Sequence, residues 1–157
     1  MSKARPKNQP SSIVNRRARF DYQLDDKLTV GVVLSGPEVR AARDKKVGLK
    51  GSFVTLRNGE LFLNNASFTV KPSGSPEQPV VDTQARKLLA TKKQIANLER
   101  TKQAGMSIVP TKLLTGGRYI KLEIATGRGK KAYDKRQTIK KRQQDRESKQ
   151  MIGKIRW

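Results

Sequence analysis

The chain has 157 residues, with 35 Lys and Arg against 13 Asp and Glu, a net charge of +22. It has no Cys and no His, which excludes disulfides, thiolate and imidazole catalysis and the usual zinc sites. A charge of that size calls for a polyanionic partner, most often nucleic acid, while 34% hydrophobic residues still suffice for one folded domain.

Residues 1–12 read as a flexible basic N-terminal arm, residues 13–126 as a mixed-charge domain and residues 127–157 as a basic tail. The opening "MSKARPKNQPSS" lacks the apolar core of a secretory signal, and no apolar run nears the ~18 residues of a membrane span. A cytoplasmic location and no membrane partner are expected. Next comes "NRRARFDY", Asn15–Tyr22, with three Arg beside two aromatics. Arg grips phosphate and stacks on bases, so the Arg residues point to RNA. Phe20 reads as core; Tyr22 is either a stacking face or a core ring at the entry to the first strand.

"LTVGVVL", Leu28–Leu34, predicts a strand. "GPEVRAARDKK" predicts a helix, with Pro37 and Glu38 in its first turn. On chemistry alone, Glu38 compensates the helix dipole. "GSFVTLRNGELFLNNASFTV" predicts two strands around Asn58-Gly59, a strong hairpin signal. "KPSGSPEQPVVDTQ" reads as a long mobile loop. "ARKLLATKK" then sets Arg86, Lys87, Lys92 and Lys93 around Leu88 and Leu89. One leucine packs inward; the other is available to press on an unstacked base.

A second helix is predicted over "TKKQIANLERTKQAG", stopped by Gly105. Two more strands, Ile108–Leu114 and Tyr119–Ile124, flank Gly116-Gly117, and Pro110 predicts an edge or a bulge in the first. Five or six antiparallel strands with short helices fit a small OB-like β-barrel, a mainly β fold often used to bind nucleic acid. Last, "GRGKKAYDKR" places Lys130, Lys131, Lys135 and Arg136 around Tyr133, after a hinge at Gly127 and Gly129. No phosphate loop, dinucleotide fingerprint or carboxylate pair is present to suggest a cofactor or an enzyme.

Taken in order, "NRRARFDY", "GVVLSGPEVRAAR", "SFVTLRNGELFL", "ARKLL", "IVPTKLL", "GRGKKAYDKR" and "IKKR" resemble the SmpB family, which partners transfer-messenger RNA (SsrA). The resemblance spans about residues 13–142. It implies an OB-like barrel, a monomer without catalytic activity or metal, and a tail that is disordered until it becomes helical on the ribosome. It implies binding to the tRNA-like domain of transfer-messenger RNA, indirect contact with elongation factor Tu through the charged RNA, and trans-translation that rescues stalled ribosomes.

Carried over by motif, Asn15, Arg16, Glu38, Arg40 and Leu89 face transfer-messenger RNA, joined by Tyr22, Arg86 and Lys87. Tyr133, Asp134, Lys135 and Arg136 lie at the small-subunit decoding centre. Lys140, Lys141, Arg142, Ile152, Ile155 and Trp157 line the mRNA channel. The chain departs from the family at Pro37, where Thr is usual, at Thr91, where Asn or His is common, and in Pro79–Leu89, which lacks the family's His and one Arg. The other reading is a ribosomal or ribosome-assembly protein bound to ribosomal RNA.

Overall fold

A computed structural model describes residues 11–71 and 78–155. Trp157, most of the N-terminal arm and the centre of the Lys71–Gln84 loop lie outside the described residues. In chain order the elements are β1 (Ser12–Val14), α1 (Arg16–Asp21), β2 (Tyr22–Val32), α2 (Gly36–Arg43), β3 (Val47–Gly48), β4 (Phe53–Arg57) and β5 (Glu60–Asn64). They continue with β6 (Ser67–Val70), β7 (Val80–Asp82), β8 (Arg86–Leu89), α3 (Lys92–Gln103), β9 (Ser107–Leu114), β10 (Lys121–Gly129) and α4 (Ala132–Ile155).

The predicted hairpin forms at Asn58-Gly59. Both residues take positive φ, 52° and 74°, as a two-residue hairpin turn requires, and Arg57 pairs with Glu60. Two expectations change here. The stretch Gly51–Val70 holds three strands, β4, β5 and β6, because Asn65 at φ 60° makes a second turn before the buried Ala66. The loop after Val70 contains β7, which pairs with β6. The five or six strands expected become ten among the described residues, since β1, β3, β7 and β8 are too short to show a two-residue period clearly.

Seven strands form one sheet in the order β1-β9-β10-β2-β8-β5-β4, and β3-β6-β7 form a second. Strand β4 returns alongside β9 without a hydrogen-bonded ladder, so the OB-like fold is not a closed barrel. Its interior is filled by Leu61, Leu63, Phe68, Leu113 and Leu122, all fully buried. Pro110 is not on an edge strand; β9 lies between β1 and β10. The alternative, a bulge, is what forms: Glu123 faces Lys112 while Ile124 faces Pro110, leaving Thr111 unmatched.

The hinge expected at Gly127 and Gly129 is strand instead. Both lie in β10, opposite Leu24 and Tyr22. A Cβ on Gly127 would sit 2.5 Å from the Gln23 carbonyl oxygen, so glycine is required by close backbone approach at a second bulge. Lys130 extends the contact by donating its N–H to the Asp21 carbonyl, 2.8 Å away.

The tail, expected to lack order until bound, is helical over the 24 residues of α4, about 36 Å at 1.5 Å per residue. Its burial is confined to its first turns. There Lys135 pairs with Asp21 at 3.2 Å and the Arg142 guanidinium lies 5.8 Å from the Phe20 ring centre. Every described side chain after Ile139 is exposed. Beyond the root, the helix has only local pairs among the described residues, such as Gln143 to Glu147, 3.2 Å apart.

Candidate nucleic-acid interface

Strand β8 alternates strictly. Arg86 and Leu88 point inward, and Lys87 and Leu89 point out. This settles the two leucines: Leu88 fills the core, and Leu89 stands 54% exposed on the outer face opposite Gly31. Lys87 is exposed too, with its ammonium 2.6 Å from the Glu60 carboxylate. An exposed pair of this kind is worth about 0–1 kcal/mol, so a competing anion can displace it.

Arg86 is placed differently from the phosphate contact expected of it. It is 3% exposed, with its guanidinium 3.9 Å from the Phe68 ring centre. Nε donates to Glu38 Oε1 at 3.1 Å, and Nη1 donates to the Ala66 and Gln84 carbonyls at 3.2 and 2.8 Å. Nη2 meets Glu38 Oε1 at 3.0 Å and the Asp82 carbonyl at 3.4 Å. Each guanidinium nitrogen therefore has a protein partner. The inward period of β8 was the available signal: Arg86 shares its face with Leu88.

Glu38 is equally committed. It is 5% exposed, and besides Arg86 it accepts the Ser35 N–H at 2.9 Å, capping α2 from its first turn. The dipole reading of Glu38 is thus part of the account, and the Arg86 pair is the part that sequence reasoning missed. Together they clamp α2 to the start of β8. Arg40, exposed on α2, is thereby held in fixed relation to Lys87 and Leu89.

Asn15 also turns inward. Its amide donates to the Pro110 carbonyl at 2.9 Å, and its side-chain oxygen accepts the Ala18 N–H at 3.3 Å as the N-cap of α1. This cap orients α1 and leaves Arg16 exposed beside it. Helix α1 itself was not predicted. Its six residues are too few to show a helical period, although Asn15 at its start was a legible cap. Tyr22 is half-buried at the C-terminal end of α1.

Asp21 ties α1 to the tail. Its carboxylate accepts from Arg17 Nε at 2.8 Å, and Lys135 Nζ lies 3.2 Å from the other oxygen. The Asp21–Lys135 contact is an ion pair whose alignment falls short of a hydrogen bond in strict geometry. Desolvation works to raise the Asp21 pKa, but the close contacts and charges of Arg17 and Lys135 outweigh it and hold the group below its ordinary 3.8.

The remaining tail residues point into solvent. Tyr133 is 67% exposed, its hydroxyl accepting from Gln137 at 2.8 Å. Lys131, Asp134, Arg136, Lys140, Lys141 and Arg142 are exposed, as is Ile152. Lys130 is half-buried and donates Nζ to the Arg19 carbonyl at 3.1 Å. The backbone of Ile155 ends α4. The expected sites fall into two groups: Arg16, Arg40, Lys87 and Leu89 on the barrel, and a basic helix beginning with one exposed aromatic. Asn15, Glu38 and Arg86 lie beneath the first group rather than on it.

Among the described residues, no helix is long and apolar enough to cross a membrane. A family model described as "SmpB protein" matches residues 12–154. The chain belongs to the SmpB family. The SsrA-binding protein of Enterococcus hirae is 40% identical over 136 residues, covering 85% of this chain and 86% of that one. That of Mycoplasma mycoides subsp. mycoides is 38% identical, covering 85% and 91%. This SmpB-family chain is also similar to a chain of the solved structure "tmRNA-SmpB: a journey to the center of the bacterial ribosome". There the TM-score is 0.62 at 36% identity, covering 77% of this chain and 85% of that one.

Proposed function

We propose that this chain is the protein partner of transfer-messenger RNA and acts with it on the ribosome in trans-translation. The observation that carries the reading is the family match over residues 12–154, which includes both the barrel and the tail. The charge of +22 and the exposed cations of both groups agree with an RNA partner.

Exposure on the two surfaces supports a division of labour. Arg16 and Arg40 supply phosphate contacts to the tRNA-like domain, Leu89 presses on an unstacked base and Lys87 adds a displaceable charge. Asn15, Glu38 and Arg86 hold α1, α2 and β8 in position, and Tyr22 closes the end of α1. In the tail, Tyr133 offers a stacking face at the decoding centre, beside Asp134, Lys135 and Arg136. Lys140, Lys141 and Arg142, and further on Ile152, Ile155 and Trp157, follow the mRNA channel. Ribosomal RNA orders the distal turns, which have no packing of their own. The protein acts as a monomer in the cytoplasm, catalyses nothing itself and meets elongation factor Tu only through the charged RNA.

Sequencing RNA crosslinked to this protein in cells tests the reading. One dominant transfer-messenger RNA is the expected result. Broad recovery of ribosomal RNA without it would favour a ribosomal or assembly protein instead.

A further inference from the structure

Between α1, the Val47–Lys50 segment and the root of α4 lies an open groove of about 610 Å³. Phe20, Val47 and Leu49 form its apolar floor, and Ile139 of α4 forms one wall. Arg16, Arg17, Lys50 and Arg142 carry positive charges around it; Arg17 is paired with Asp21, while Arg16, Lys50 and Arg142 have no ion-pair partner among the described residues. The Arg17 and Arg142 guanidiniums lie 5.4 and 5.8 Å from the Phe20 ring centre.

This combination selects its ligand. Three cations without a compensating acid call for an anion, and the open apolar floor calls for a flat, poorly solvated group next to it. Duplex RNA offers phosphates but keeps its base faces stacked. A single-stranded segment offers both together. We infer that the groove takes one unstacked nucleotide of single-stranded RNA, with the base on Phe20 and the phosphate held by Arg16, Lys50 and Arg142. The inference rests on the RNA-binding reading above and deepens it.

The groove unites residues that the family resemblance assigns to separate surfaces, Arg16 to transfer-messenger RNA and Arg142 to the mRNA channel. Because Ile139 and Arg142 belong to α4, a nucleotide there is linked to the position of the tail. RNA that favours the docked helix is bound more tightly when the helix is docked, and the converse holds.

The test uses the full chain, a fluorescent oligouridylate and the variants Phe20→Leu and Arg142→Gln, each checked for an unchanged melting temperature. Phe20→Leu keeps an apolar floor but removes the stacking face, and is expected to weaken oligouridylate binding about tenfold. Arg142→Gln, on an exposed helix face, is expected to weaken it several-fold and to reduce the salt slope by about 0.7. A 4-thiouridine in the oligonucleotide should crosslink within the peptide containing Phe20. Unchanged affinity in both variants overturns the groove. Equal weakening of an oligoglutamate peptide overturns the nucleotide, leaving only a charge patch. Selective binding of the tRNA-like domain by the unaltered chain is measured in parallel. Its absence removes the underlying reading, whereas unchanged oligouridylate binding in both variants removes the groove alone.

Discussion

Arg86 in the barrel has a protein partner at every guanidinium nitrogen, whereas Arg136, Lys140 and Lys141 in α4 have no ion-pair partner among the described residues. The same residue chemistry therefore does opposite work in the two regions. A buried cation fixes the relative placement of α2 and β8, and it is costly to disturb because its partner cannot return to water. Exposed cations on a helix with little packing contribute almost nothing to stability and remain free for phosphate. The barrel presents a preformed surface, and the tail presents charge whose ordering is completed by its partner.

That contrast can be broken at several points. Arg86→Met leaves the Glu38 carboxylate buried without its partner and should destabilise the fold by about 3–5 kcal/mol, read by urea denaturation. A similar loss is expected from Glu38→Ala, and a smaller one when both are replaced by apolar residues. A loss below 1 kcal/mol for either single change would show that the clamp is not a structural element. Next in size, Gly127→Ala drives a methyl onto the Gln23 carbonyl and should cost about 1–3 kcal/mol. An unchanged midpoint there would restore the hinge that the sequence suggested.

Leu89→Ala, on the outer face, should leave stability within about 0.5 kcal/mol while weakening the tRNA-like domain severalfold in a binding titration. The reverse pattern would make Leu89 a packing residue. Smallest is Asp21→Asn, which removes an exposed-type pair worth about 0.2–1 kcal/mol and should loosen the root of α4, measured by a fluorophore pair across α1 and α4. The same signal should depend on pH. Because the folded pKa of Asp21 lies below its ordinary 3.8, the stabilisation is fully present above 3.8 and is lost as pH falls through the lower folded value. A distance unchanged through that window would mean that the ion pair does not hold the helix.

Much of the barrel was legible because its longer strands and its Asn58-Gly59 turn have strong local chemistry. The short strands and α1 were not, since two to six residues cannot display a period above the noise of composition. The candidate site divides the same way. Lys87 and Leu89 stand exposed, as a surface role requires of them, and the inward turn of Arg86 was implicit in the alternation of β8. The Glu38–Arg86 pair was not legible, because it joins residues 48 positions apart that only the folded sheet brings together. The tail motif was fully visible as a basic run around Tyr133, but its contact with Asp21 depends on β10 carrying the chain back past α1.

The central claim is that the barrel binds the RNA and the tail acts afterwards on the ribosome. The most direct measurement takes one variant, Asp134→Ala with Arg136→Ala, which leaves the Lys135–Asp21 pair in place, and compares its affinity for transfer-messenger RNA with its rescue of stalled ribosomes in a translation assay. The account predicts unchanged RNA affinity and lost rescue. Loss of RNA affinity, or intact rescue, would contradict it.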